Sequence, residues 1–304
     1  MAKIAVELEQ ALRRRALDGT PGQTTARLLA HGNGWAVHDV VCTSGPQDRS
    51  FEERHSGFSI AVVAAGSFQY CATTGRGLMV PGSLLLGNAG QCFECGHEHG
   101  LGDRCVSFSY APDFFECIAA DAGAHGSSMD FRTSRLPPLR ALSPLIARAC
   151  AGLSMDGALD GWMDVSWEEI SVQLAALAVQ LASGLSPHSS DVPPSALARV
   201  TRVVRAIERH PDAGLSLGRL AREAGLSPYH FLRTFERLTG LTPHQYLRRA
   251  RLREAAIQLA DPQQRARILD VALDCGFGDV SNFNRAFRAE FGVSPRVYRL
   301  QAGS

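Results

Sequence analysis

The chain is predicted to be an α+β protein of two unlike parts. A strand-rich N-terminal domain of barrel or sandwich type precedes an all-helical C-terminal domain. Three observations predict this. The apolar pattern changes from short alternating runs before Tyr110 to helical spacing from Pro137 onward. A motif in the last third recurs 52 residues further on, the mark of a duplicated unit. The formal charge of +1 over 304 residues, from 31 basic and 30 acidic side chains, is also an average of two unlike halves. Residues 1–194 hold 13 basic and 20 acidic side chains, or -7, and residues 195–304 hold 18 and 10, or +8. Such an asymmetry points to a nucleic-acid-binding module joined to something else.

Composition narrows the class further. A hydrophobic share of 45% is ordinary for a globular chain with a sizeable core. Met1 to Gln10 carries Glu7 and Glu9 and lacks an apolar core of signal-peptide length. No window reaches the roughly 18 apolar residues of a membrane span. The expectation is a cytoplasmic protein without a membrane partner, whose eight cysteines are thiols or metal ligands rather than disulfides.

Residues 1–30 read as a short polar helix or arm, with Arg13, Arg14 and Arg15 on a solvated face. Strand-like runs follow at Trp35–Cys42, Phe58–Ala65, Ser67–Ala72, Leu78–Val80, Ser83–Leu86 and Cys105–Tyr110. They are broken at Gly75-Arg76-Gly77 and Pro81-Gly82, as in a sandwich or small barrel. Leu139, Leu142, Leu145 and Ile146 then form one helical stripe. Ile170, Leu174, Leu177, Ala178 and Leu181 form a second, within Val165–Ala182. Each stripe must be buried, against its own domain or against a second subunit, and a homodimer is the expected arrangement. The expected division is a regulatory domain over 1–136, a helical dimerisation segment over 137–184, a linker over 185–194 and a DNA-binding domain over 195–304. The linker is rich in Pro and Ser.

The repeat pairs Phe231-x-Arg233-x-Phe235 and Gly240-x-Thr242-Pro243-x-x-Tyr246 with Phe283-x-Arg285-x-Phe287 and Gly292-x-Ser294-Pro295-x-x-Tyr298. Each copy has the build of a helix-turn-helix. Leu217, Leu220, Ala221 and Ala224 mark one buried helix face, Gly225 ends it, and Ser227-Pro228 starts the next helix. Phe231, Phe235 and Leu238 then face inward. In the second copy Ile268, Val271, Ala272 and Cys275 form the buried stripe, Gly276 breaks it and Asp279 caps the next helix. Phe283, Ala286 and Phe287 face inward, while Ser281, Asn282, Arg285 and Ala289 face outward.

A recognition helix offers donors and acceptors to base edges from one exposed face. Arg233 and Arg285 can bond guanine in pairs, and Asn282 can bond adenine. Arg248, Arg249, Arg251 and Arg253 on the connecting helix offer charge for phosphates.

At these residues the chain resembles the AraC/XylS family of bacterial transcription regulators. The matching motifs are A-x-x-A-G-L-S-x-x-x-F-x-R-x-F at Ala221–Phe235, G-F-x-D-x-S-x-F-x-R-x-F at Gly276–Phe287 and G-x-S-P-x-x-Y-R at Gly292–Arg299. The resemblance implies two helix-turn-helix units on a connecting helix at Pro243–Leu259, each placing one helix in successive major grooves of promoter DNA. By position, Tyr229, Leu232 and Arg233, then Ser281, Asn282 and Arg285, are the implied base-facing residues. Leu232 departs from the polar residue expected there. The resemblance also implies an N-terminal cupin-like β-barrel that binds a small-molecule or metal effector and dimerises. Pro81-Gly82-Ser83 looks like the barrel segment where such proteins carry P-G-D. RNA polymerase is a further implied partner.

One cluster stands outside that reading. Residues 91–105, Q-C-F-E-C-G-H-E-H-G-L-G-D-R-C, gather Cys92, Cys95, His97, His99 and Cys105. Thiolates and imidazoles in a set of four suit tetrahedral Zn²⁺ or another thiophilic metal. Cys95, His97 and His99 share strand parity, and Cys105 returns after Gly100–Gly102. The expected ligands are therefore Cys95, His97, His99 and Cys105, with Cys92 in reserve. Asp103 or Glu98 can support an imidazole from behind. The site is structural or sensing. A redox thiol sensor and a chance grouping stay open, and Cys42, Cys71, Cys117 and Cys150 read as structural. His97, His99 and Asp103 also resemble the first metal motif of enzymatic cupins, with Asp in place of Glu and with His125 as the nearby candidate for the further ligand. That leaves a cupin-type metalloenzyme fused to a DNA-binding module as the alternative. The expectation is a transcription regulator that performs no catalysis.

Overall fold

The computed structural model describes residues 2–123, 130–153, 167–183, 193–213, 215–261 and 266–302. Helix α1 (Ala2–Asp18) leads into strands β1 (Thr24–Gly32), β2 (Trp35–Cys42), β3 (Phe51–Arg54), β4 (Phe58–Gly66) and β5 (Phe68–Ala72). Strands β6 (Gly75–Met79), β7 (Leu84–Gly87), β8 (Cys92–Gly96) and β9 (Asp103–Tyr110) follow. Helix α2 (Pro112–Asp121), strand β10 (Arg135–Leu136) and helices α3 (Ser143–Leu153) and α4 (Trp167–Ser183) complete the N-terminal part.

The strands form two antiparallel sheets, in the orders β1-β2-β9-β4-β7-β10 and β3-β8-β5-β6. The expected barrel is therefore not closed. Alternation along β4 explains how the larger sheet is covered on both faces. Ile60, Val62 and Ala64 point into one core with Val106 and Phe108 of β9 and residues of α1 to α4, such as Ile4, Phe115, Ile146 and Leu174. Ala61 and Val63 point the other way, into a smaller core with Phe68, Tyr70, Met79, Cys95 and Cys105. A strand buried on both faces reads as the near-continuous apolar run Phe58–Ala65.

Three expectations need correction here. Residues 1–30 hold more than a helix or arm, because Thr24–Gly32 is an edge strand whose mostly exposed side chains carry no strong alternation. Arg15 is not on a solvated face: its Nη2 lies 2.6 Å from Asp48 Oδ2. The α4 stripe does not await a second subunit, since Ile170, Leu174 and Ala178 are buried in the chain's own core and Leu177 and Leu181 pack against it. The 185–192 portion of the expected linker, and His125, lie outside the described residues. No helix among the described residues is long and apolar enough to cross a membrane.

The C-terminal part is all-helical as expected: α5 (Pro194–Arg209), α6 (Leu217–Glu223), α7 (Pro228–Thr239), α8 (Pro243–Ala260), α9 (Ile268–Asp274), α10 (Val280–Phe291) and α11 (Pro295–Ala302). It has two cores. Phe231, Phe235 and Leu220 pack with Val200, Val203, Val204 and Ile207 of α5. Phe283, Phe287, Val271 and Cys275 form the other. Helix α8 serves both, giving Tyr246, Leu247 and Ala250 to the first and Leu252, Ala255, Ala256 and Leu259 to the second.

The two parts share apolar surface. Leu78 and Val80 of the N-terminal part enter the α5–α8 core, and Ala147 of α3 enters the α9–α10 core. Polar contacts reinforce this. Arg249 donates to the Pro138 carbonyl, and Ser143 donates to Glu290. Arg135 donates to Thr239 O at 2.7 Å.

Candidate nucleic-acid interface and buried thiol cluster

The turn chemistry of both helix-turn-helix units is what the sequence demands. Ser227 caps α7 by accepting from His230 N, and Asp279 caps α10 by accepting from Asn282 N at 2.7 Å. Gly225 and Gly276 hold φ of 63° and 81° between the paired helices, backbone that strains any residue with a Cβ. Leu220, Ala221 and Ala224 are buried, but Leu217, expected on the same face, stays 42% exposed.

Burial of Phe231, Phe235 and Leu238 turns the opposite face of α7 outward, and Phe283 and Phe287 do the same for α10. Arg233, Ser281, Asn282 and Arg285 are exposed. Asn282 accepts from Arg285 Nη2 at 2.5 Å and donates to Asp279. The amide and the guanidinium are thus held as one outward-facing polar pair. A cleft of about 530 Å³ beside it is lined by His244, Arg248, Asn282, Arg285 and Ala289. Leu232 is half-buried and borders a different, apolar hollow with Leu215, Leu217 and Leu247. Tyr229 lies in the first turn of α7, and its side chain is outside the described residues.

The connecting-helix arginines divide. Only Arg248 of the four is exposed. Arg253 is buried, with Nη2 2.7 Å from Glu208 Oε1. Arg249 Nε lies 3.1 Å from Glu290 Oε1. Arg251 donates to the carbonyls of Pro211, Gly276 and Ala213. Three of the four therefore tie the domain together rather than offer charge to phosphates.

The cysteine and histidine cluster is regrouped by the fold. Ladder pairing of β2 with β9 sets Cys42 directly opposite Asp103. The loop 97–102 crosses between the sheets and returns the chain at Asp103. The result is a buried set in which ligating atoms of Cys42, His97 and Asp103 all lie within 4.8 Å of one another. His97 Nε2 is 2.7 Å from Asp103 Oδ1, and Cys105 Sγ is 3.3 Å from Asp103 Oδ2. Asp103 thus contacts the His97 imidazole directly. Cys95 is buried in the apolar cluster that also holds Cys105.

His99 and Cys92 stand apart. His99 Nε2 lies 3.8 Å from Glu98 Oε2, too far for a hydrogen bond. Cys92 is half-buried, paired across the ladder with Arg54. Cys42 was the residue that sequence reasoning missed, because only strand register brings it here.

The electrostatics differ from thiol to thiol. Burial opposes the His97 imidazolium, but the hydrogen bonds it donates to Asp103 and Cys42 outweigh it and raise its pKa to about 9. Burial also raises Cys42, yet the His97 contact prevails and lowers it. Burial pushes Cys95 and Cys105 well up. An arrangement of one activated thiol, an imidazole, a carboxylate and a further thiol can hold a tetrahedral cation.

Comparison with known proteins bears on the helical part. A helix-turn-helix domain family matches residues 220–301. The chain is 32% identical to the transcriptional activator AarP of Providencia stuartii over 101 residues, covering 33% of this chain and 73% of that protein. It is 32% identical to the regulatory protein SoxS of Salmonella typhimurium over 100 residues, covering 33% of this chain and 92% of that protein. Among solved structures it is similar to a Chromobacterium violaceum transcriptional regulator with an AraC-type DNA-binding domain, at 26% identity and a TM-score of 0.34, covering 37% of this chain and 98% of that one.

Proposed function

We propose, because the chain belongs to the AraC/XylS family of transcriptional regulators, that it binds specific promoter DNA through α7 and α10 and acts in the cytoplasm without catalysis. One observation carries this reading. Two helices from a duplicated unit bury their aromatic faces and turn Arg233 on one, and Asn282 with Arg285 on the other, toward solvent. Arg285 and Asn282 read base edges, Ser281 supports them, and Arg233 reads through the first unit. Tyr229 and Leu232 lie on that same helix and face the bases, Leu232 against a thymine methyl. The N-terminal domain supplies the signal, with a zinc-type cation as its input.

The test is duplex binding by the full chain, followed by fluorescence anisotropy across a salt series. A steep linear fall of log affinity with log salt is expected from phosphate neutralisation. Arg285→Ala is expected to weaken specific binding about 10-fold or more while leaving nonspecific binding nearly unchanged. Equal loss on both kinds of DNA would remove Arg285 from base reading.

A further inference from the structure

We propose that Cys42, His97, Asp103 and Cys105 hold one zinc-type divalent cation, and that its occupancy sets DNA affinity through the loop 97–102, which lies against α5. The regulatory half of this proposal rests on the DNA-binding reading above.

The donor set is built by three segments. Cys42 ends β2, His97 follows β8, and Asp103 and Cys105 open β9. All four are buried. Bond lengths of about 2.0–2.3 Å in a tetrahedral zinc site put neighbouring donors roughly 3.3–3.8 Å apart. Cys42, His97 and Asp103 lie within 4.8 Å of one another and approach that spacing by a small contraction; Cys105, outside that set but with Sγ 3.3 Å from Asp103 Oδ2, reaches the cation by a larger movement of its side chain. Two thiolates, one imidazole and one carboxylate are the chemistry a borderline-soft cation selects over magnesium or calcium. Binding displaces to solvent the protons carried by the two sulfurs and by the ligating nitrogen of His97. It also replaces the direct His97–Asp103 contact by bonds from each to the metal, so both ends of the 97–102 loop must shift together.

That loop is one of the contacts between the two parts of the chain. Residues 96–100 line a small cavity with Ser67 and with Thr201 of α5. Ser67 Oγ, His99 Nε2 and Thr201 Oγ1 are buried there without a hydrogen-bond partner among the described residues. His99, expected as a ligand, thus belongs to the interface. On the other side a Cβ at Gly102 would fall 3.0 Å from Leu12 Cδ2 and 3.4 Å from Leu8 Cδ1 of α1. Leu101 and α1 share a cleft of about 300 Å³ with Val204, Arg205 and Arg209 of α5. Helix α5 in turn supplies Val200, Val203, Val204 and Ile207 to the core behind α7. A shift of the loop is felt by the first helix-turn-helix through packed side chains. The cation alters DNA affinity to the extent that it binds the two loop positions unequally.

The experiment uses the full chain freed of metal. Co²⁺ titration is expected to give the intense visible bands of a tetrahedral site with thiolate charge transfer. Cys42→Ser and Cys105→Ser should each weaken them, while Cys92→Ser and His99→Ala leave them intact. Zn²⁺ should change the DNA Kd of the unsubstituted chain by about 5-fold or more and have no effect on Cys42→Ser, which still binds DNA. Circular dichroism checks that each variant is folded, and Asp103→Asn is the second variant should Cys42→Ser not fold. Absence of the cobalt spectrum, or its equal loss in Cys92→Ser, overturns the site. A full spectrum with DNA affinity indifferent to Zn²⁺ overturns the coupling. Absence of DNA binding under every metal condition overturns the regulator reading itself, while the spectrum still judges the site.

Discussion

The guanidinium of Arg135, on the last strand of the larger sheet, donates a 2.7 Å hydrogen bond to the carbonyl oxygen of Thr239, the final residue of α7. A cation at a helix C-terminus also meets the negative end of the helix dipole. The contact joins the strand-rich N-terminal part to the end of α7. Removing a charged partner leaves the carbonyl buried and unsatisfied, a loss of about 1–3 kcal/mol. Arg135→Ala is expected to lower urea stability of the full chain by that amount. Equal stability of the substituted and unsubstituted full chains would remove Arg135 from the junction.

Gly240 tests the same junction from the other side. Its φ is 82°, and a Cβ there would fall 2.4 Å from Pro137 Cβ. Gly292 holds the equivalent position in the second unit with φ of 80° and open space around it. Gly292→Ala is expected to cost about 1 kcal/mol from backbone strain alone. Gly240→Ala should cost clearly more and should speed proteolysis between the two parts. The difference between the two thermal melts measures the clash.

The arginines of α8 are expected to separate by phenotype. Arg248→Ala should weaken binding to all DNA sequences alike and shallow the salt slope by about one. Arg253→Ala should act on folding instead. It strands Glu208 inside the domain, and breaking a buried ion pair costs about 3–5 kcal/mol. Denaturant midpoints and DNA titrations of the two variants give opposite patterns under this account.

Stability is expected to fall with acid in a defined window. His55 is held neutral by burial, which lowers its pKa from 6.5 to about 4. Its Nε2 lies 2.9 Å from the Tyr70 hydroxyl, and its ring stacks on Phe93 at 4.2 Å. The unfolded chain takes up a proton near pH 6.5 that the folded chain refuses until about pH 4. The contribution is therefore full above pH 6.5 and is lost as pH falls toward 4, a change on the order of 3 kcal/mol. His55→Gln keeps a polar group near Tyr70 and cannot titrate, so its urea midpoint should be flatter across that window.

What the sequence made legible was local chemistry. Ser227-Pro228, Gly225, Gly276 and Asp279 state their helix ends through backbone rules that act within a few residues. The aromatic repeat then states which faces are buried. The missed features are non-local. Cys42 meets Asp103 only through the register of β2 against β9, and no spacing along the chain encodes register. Arg253 reads as a surface charge until Glu208 and Tyr246 close around it. The stripe on α4 is correct as a buried face, but periodicity cannot name what buries it. The open edges at β1 and β10 likewise follow from pairing, not from the run of strands.

The central claim is that two outward helices read DNA together. Selection of bound sequences from a random duplex pool by the full chain tests it most directly. The account predicts an enriched site of two conserved blocks, centred about 10 base pairs apart, or one helical turn. It also predicts that Arg285→Ala relaxes one block and Arg233→Ala the other. Recovery of sequences with no enrichment, or of a single block relaxed by neither substitution, would contradict it.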